Sequence, residues 1–275
     1  MKKILLLDID GVLVHPGGYR AALHATLNHF VNLMGLPHFE FPEEKLAGFE
    51  RRGITSEWDM VPLLLAVLWD DILSRQALTD LAADVSTAAI EIGKALNGYL
   101  PAELVIPEFE LVSGQYPVET ALQGGHFPSI PVALRTSLMH RSRDVHSSHT
   151  MRIFQHYTLG SRDFNQTYAL PVEIESESLL RKHDRPLINK VIRERLRQSG
   201  AHLAAFTARP SAPPRWQVTS GPRCRRPVIG MKPANLQVPW RSCRGHLTYP
   251  LWRTRLAEFA QSSRRVRSCG KQAWM

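Results

Sequence analysis

Cysteine is scarce in this chain. There are three, Cys224, Cys243 and Cys269, all in the last quarter and none in a C-x-x-C pair. An odd count at such spacing supports neither a disulfide framework nor a thiolate zinc site. Long apolar runs are missing too. The longest, "MVPLLLAVLW" at 60–69, falls far short of the roughly 18–20 residues that cross a bilayer and reads as a buried helix. Only Ile4–Leu7 is apolar before Asp8, and no small-residue cleavage site follows, so no secretory signal is expected and the cytoplasm is the expected location. Acids are nearly absent from one region. Residues 200–275 carry 14 lysines and arginines against a single acid, Glu258, whereas residues 1–199 have a net charge of −4. The overall +9 therefore belongs to the tail and does not describe the body. No nucleic-acid-binding motif accompanies it, so nucleic acid is not the expected partner.

What is present is enough apolar material for a large core: 275 residues, 44% hydrophobic. Residues 3–8 form a continuous apolar strand of the kind buried on both faces of a parallel sheet. Helical spacing then predicts Tyr19–Met34, Glu43–Arg52 (ended by Gly53), Ser56 to about Arg75, and Leu78–Leu96. Ser56 with Asp59 three residues on approximates a capping box. Prolines at 101, 107, 117, 128 and 131 break every long pattern in 99–148, and no structure is assigned there. Helix returns over Met151–Leu170 and over Ser176–Gln198, restarting at Pro186. "HLAAFTARP" reads as a second buried strand running into a loop at Thr207. Strand, long helical insertion, helix, strand predicts an α/β fold: a Rossmann-like parallel core from 1–14 and 186–275, with a mainly α-helical cap over 15–185.

Two carboxylates, Asp8 and Asp10, end the first strand in "LLLDIDGVLV". Unpaired acids are costly in such a place, so the pair asks for a cation, a catalytic task, or both. Extended alternation would put residues 8 and 10 on the same side, and Gly11 allows a sharp turn. Ligands of open parallel sheets bind beyond the carboxyl ends of the strands. If the two strands are neighbours, both acids and the Thr207 hydroxyl converge. That set suits phosphoryl transfer, with one carboxylate as nucleophile, a second as proton shuttle and a hard cation between.

"DIDGVL" after an N-terminal apolar strand resembles the first motif of the haloacid dehalogenase (HAD) superfamily in its phosphatase form. "LAAFTARP" resembles the second. The resemblance implies that Asp8 is the nucleophile and Asp10 the general acid/base. It implies Mg²⁺ on the Asp8 carboxylate and the Asp10 carbonyl, and phosphate at Gly11 and Thr207. "VIGMKP" offers Lys232 for the phosphate-steadying lysine. The implied activity is hydrolysis of a small phosphorylated metabolite through an aspartyl-phosphate. Caps in this superfamily set specificity, which makes Arg51, Arg52 and Thr55 candidate substrate contacts. Arg209, just past Thr207, is another.

The superfamily's last, acidic motif is not found. No aspartate follows Lys232, and Glu258 sits in an amphipathic helical pattern. From about 210–240 onward the composition, rich in Arg, Ser, Cys, Pro and Trp, reads as a frame-shifted or otherwise altered ending. The alternative function is therefore a catalytically impaired relative that binds a ligand or partner. His140, Asp144, His146 and His149 could ligate a metal, but read as a solvated loop.

Overall fold

A computed structural model describes residues 3–209, apart from 38, 77, 79, 97, 99–103, 109 and 208. All of them lie in one compact unit. The described residues are mixed α/β and 53% helical, with a small parallel sheet of two strands; a large Rossmann-like core is not shown. Lys232, Glu258, the three cysteines and the basic tail lie outside the described residues.

The first strand, β1 (Ile4–Asp8), pairs in parallel with the last described strand, β4 (His202–Phe206), with Asp8 opposite Phe206. The sequence expectation of two neighbouring parallel strands is thus met, but their burial is not. Ile4, Leu5 and Leu6 are 74%, 36% and 58% exposed. Strands of a parallel sheet normally have both faces covered. Among the described residues no third strand joins this pair, and no helix covers these side chains.

Beyond β1 the chain turns through Ile9–Leu13 into β2 (Val14–His15). The Gly11 N–H donates to the Val14 carbonyl at 2.8 Å, and Gly11 has φ +78°, which explains the glycine. β2 pairs antiparallel with β3 (Arg185–Pro186).

Between β2 and β3 lies the helical body: α1 (Gly17–Leu33), α2 (Glu43–Arg51), α3 (Glu57–Arg75), α4 (Val85–Ala95), α5 (Pro117–Gln123), α6 (Val132–Met139), α7 (His149–Leu159), α8 (Ser161–Tyr168) and α9 (Leu179–His183). The core is here. Leu63, Leu64, Leu65, Leu68, Trp69 and Ile72 of α3 are fully buried, as are Leu23 and Phe30 of α1. Helix α10 (Lys190–Gln198) precedes β4 and buries no residue.

Three boundaries moved from the sequence reading. Helix α4 starts at Val85, not Leu78, because the Asp84 side chain caps it, accepting from the Thr87 N–H. The helix expected over 151–170 is two helices, parted at Gly160 (φ +83°). That expected over 176–198 is α9 and α10, separated by β3. The capping box at Ser56 does not form: Ser56 makes no side-chain cap bond, and Asp59 instead pairs with Arg143. Helices α5 and α6 occupy the stretch left unassigned, each starting at or just after a proline, where proline's fixed φ is compatible with a first turn.

Candidate functional site

Four chain segments meet beyond the carboxyl ends of β1 and β4. Thr207 follows β4 directly, and its hydroxyl donates to Asp10 Oδ2 at 3.3 Å. That contact joins residues 197 positions apart, because the parallel register brings both strand ends to one edge. The Arg209 N–H donates back to Thr207 Oγ1 at 3.1 Å. The Arg209 guanidinium then engages Asp10 with two nitrogens: Nε lies 3.0 Å from Oδ1, and Nη2 also pairs with Oδ1. Its third nitrogen, Nη1, reaches Asp184 Oδ2 at 2.6 Å.

Asp184 closes α9, and its other oxygen accepts the Gly18 N–H at 2.9 Å. Gly18 lies in the first turn of α1, whose orphan N–H groups need acceptors. A Cβ at Gly18 would come within 2.5 Å of the Leu180 Cα, so only glycine lets α1 approach α9 this closely. The Tyr19 ring lies 5.4 Å from the Arg209 guanidinium and packs on Trp58 and Phe154. Burial pushes the Tyr19 hydroxyl well above its usual range. For Arg209, burial would lower the pKa, but the hydrogen bonds it donates to Asp10 and Asp184 outweigh this and raise the value.

Glu57, at the start of α3, is within electrostatic reach of Asp10. Its carboxyl is raised first by burial and also by the charges of Glu50 and Asp10; its own backbone and Arg20 oppose the rise. Arg20 bonds Glu50 at 2.5 Å. Asp8 is half-buried, and its carboxylate makes no hydrogen bond or ion pair among the described residues.

Of the sequence candidates, Asp10, Thr207 and Arg209 are brought into contact, and Asp8 stands at the adjacent strand end. The Gly11 N–H is engaged within its turn. Arg51, Arg52 and Thr55 are exposed, and no described hydrogen bond or ion pair joins them to Asp8 or Asp10; Arg52 instead lies 3.9 Å from Glu108. Asp184, Gly18, Tyr19 and Glu57 were not anticipated. Their signals were weak: a glycine pair at 17–18 and an acid just before Pro186. His149, read as part of a solvated loop, opens α7 half-buried, 3.0 Å from Ser86 Oγ and 3.2 Å from an Arg152 nitrogen.

Mg²⁺ is a hard cation that takes about six oxygens in near-octahedral geometry. Among the described residues no three His, Cys, Asp or Glu side chains converge to hold a metal. Asp10 is occupied by Arg209 and Thr207, and beyond Arg209 the sequence has only Glu258 as an acid. Among the described residues the donor set does not fit a resident Mg²⁺.

No family model matches the chain, and no curated protein does. Among solved structures it is similar to the X-ray structure of a Northeast Structural Genomics Consortium target, with TM-score 0.51 and 17% identity over 76% of this chain. At that identity the likeness is one of fold alone. The match spans 63% of the neighbour's length. Among the described residues no helix is long and apolar enough to cross a membrane.

Proposed function

We propose that the side-chain cluster at the ends of β1 and β4 is a phosphate-monoester site of the aspartyl-nucleophile kind, acting on a small phosphorylated metabolite in the cytoplasm. The observation that carries this reading is the Thr207 hydroxyl 3.3 Å from the Asp10 carboxylate, next to the unengaged Asp8. In the reaction an Asp8 oxygen attacks phosphorus, and the phosphorus–ester oxygen bond breaks. Asp10 delivers a proton to the leaving alcohol. Water, losing its proton to Asp10, then attacks phosphorus and releases phosphate from Asp8. In the present arrangement both Asp10 oxygens accept hydrogen bonds. Proton delivery therefore requires the Arg209 guanidinium to move, and an incoming phosphate offers it a competing bidentate partner.

A second reading, a ligand- or partner-binding relative with little turnover, draws support from that same closed arrangement: among the described residues no third carboxylate converges with Asp8 and Asp10 to hold a metal. Hydrolysis of p-nitrophenyl phosphate by the full chain separates the two. The first reading expects turnover that Asp8→Asn abolishes. Equal rates in both proteins, or none above background in either, would leave only the binding reading.

A further inference from the structure

Asp10 at this strand end and Asp184 at the close of α9 are met by one cation of the chain itself. We propose that Arg209 is the resident cation of the site: its guanidinium sits between Asp10 and Asp184 and takes the neutralising and bridging role that a divalent metal would otherwise fill. Three observations support this. The guanidinium contacts both carboxylates at once, with Nε 3.0 Å from Asp10 and Nη1 2.6 Å from Asp184. All three side chains are mostly shielded from water, at 17%, 28% and 12% exposure for Arg209, Asp10 and Asp184. Finally, among the described residues the donor set falls short of a metal's needs where it meets those of a planar five-donor fork.

The bridge also has a mechanical consequence. Asp10 belongs to the turn after β1, Arg209 follows β4, and Asp184 holds the first turn of α1 through Gly18. Arg209 therefore ties the strand pair to the helical body through a single side chain. The inference stands whether or not the cluster turns over a phosphate.

The test uses the full-length chain and reads stability, not activity. Thermal unfolding is followed for the wild type, Arg209→Gln and Arg209→Lys, each with EDTA and with about 10 mM MgCl₂, a concentration that stabilises only a form with a real site. The wild-type midpoint is expected not to respond to Mg²⁺. Arg209→Gln is expected to melt roughly 4–8 °C lower in EDTA and in Mg²⁺ alike, with Arg209→Lys between. A wild type stabilised by Mg²⁺ overturns the proposal. So does an Arg209→Gln protein that melts like the wild type, or one whose midpoint Mg²⁺ restores. Should Arg209→Gln not fold, Mn²⁺ titration of the wild type by electron paramagnetic resonance decides. No site tighter than about 100 µM is expected, and a tighter one refutes the proposal.

Discussion

The helical body and the β1–β4 pair contain the same kind of residue under opposite conditions. Leu63, Leu64 and Leu65 in α3 are fully buried, while Leu5 and Leu6 in β1 are 36% and 58% exposed. Both runs read as core in the sequence. What separates them is coverage. Helix α3 is wrapped by α1, α4, α5, α6 and α7, whereas β1 has one strand beside it and, among the described residues, nothing over Ile4 or Leu6. A run of leucines announces a demand for burial; it does not supply the partner. Two-stranded sheets are marginal by themselves, so this pair depends on its end contacts, the Arg209 bridge and the β2–β3 pairing, more than on its faces.

The comparison can be broken most severely inside the body. Asp59 is 1% exposed and is held by Arg143, whose guanidinium also stacks 4.0 Å over the Tyr116 ring. Burial raises the Asp59 pKa, and the bonds from Arg143 oppose the rise. Arg143→Met strands that carboxyl, and a loss of about 3–5 kcal/mol is expected by chemical denaturation. A loss below about 1 kcal/mol would show the pair to be dispensable.

Leu64→Ala in α3 is expected to cost about 2–5 kcal/mol. Leu6→Ala in β1, removing the same atoms from a side chain already 58% exposed, is expected to cost well under 1 kcal/mol. Equal losses would mean that the strand is covered in solution by something the described residues do not include.

At the junction of the two regions, Gly18→Ala forces α1 away from α9 and weakens the Gly18–Asp184 bond. A loss of roughly 1–3 kcal/mol is expected, together with faster amide exchange in β1 and β4. Unchanged exchange there would show that the strands do not lean on this contact.

The mildest probe is acid. Burial lowers the pKa of His29, His149 and His156, all in the body; Glu173 opposes the shift at each, and Arg152 adds to it at His149 and His156. The folded state stays neutral where the unfolded chain binds protons, below about pH 6.5. Protonation then favours unfolding, so stability is full above pH 6.5 and falls as pH drops toward 5. Denaturation midpoints at pH 7.5 and 5 check this, and His156→Gln is expected to flatten the slope. A profile already flat in the wild type would contradict it.

Much of the body was legible because helices declare themselves locally. The periods of 19–34, 43–52 and 56–75 gave α1, α2 and α3 to within two residues at each end. The stretch 99–148 was not legible, since prolines interrupt the period and the two short helices there are held by packing, with Val118, Ala121, Leu134 and Leu138 buried. The site was half legible. Asp8, Asp10, Thr207 and Arg209 stand beside strands whose patterns expose them. Asp184 and Gly18 join the site only because α9 and α1 touch, and Asp59 satisfied a local capping pattern yet found its partner 84 residues away.

The order of the residues alone determined where strands and helices form and that two acids emerge at a strand end, because propensity and period act over a few neighbours. Which cation meets Asp10, and which apolar residues are covered, was decided only by the folded chain. Charge pairing and burial depend on groups far apart in sequence, and only folding fixes their distances.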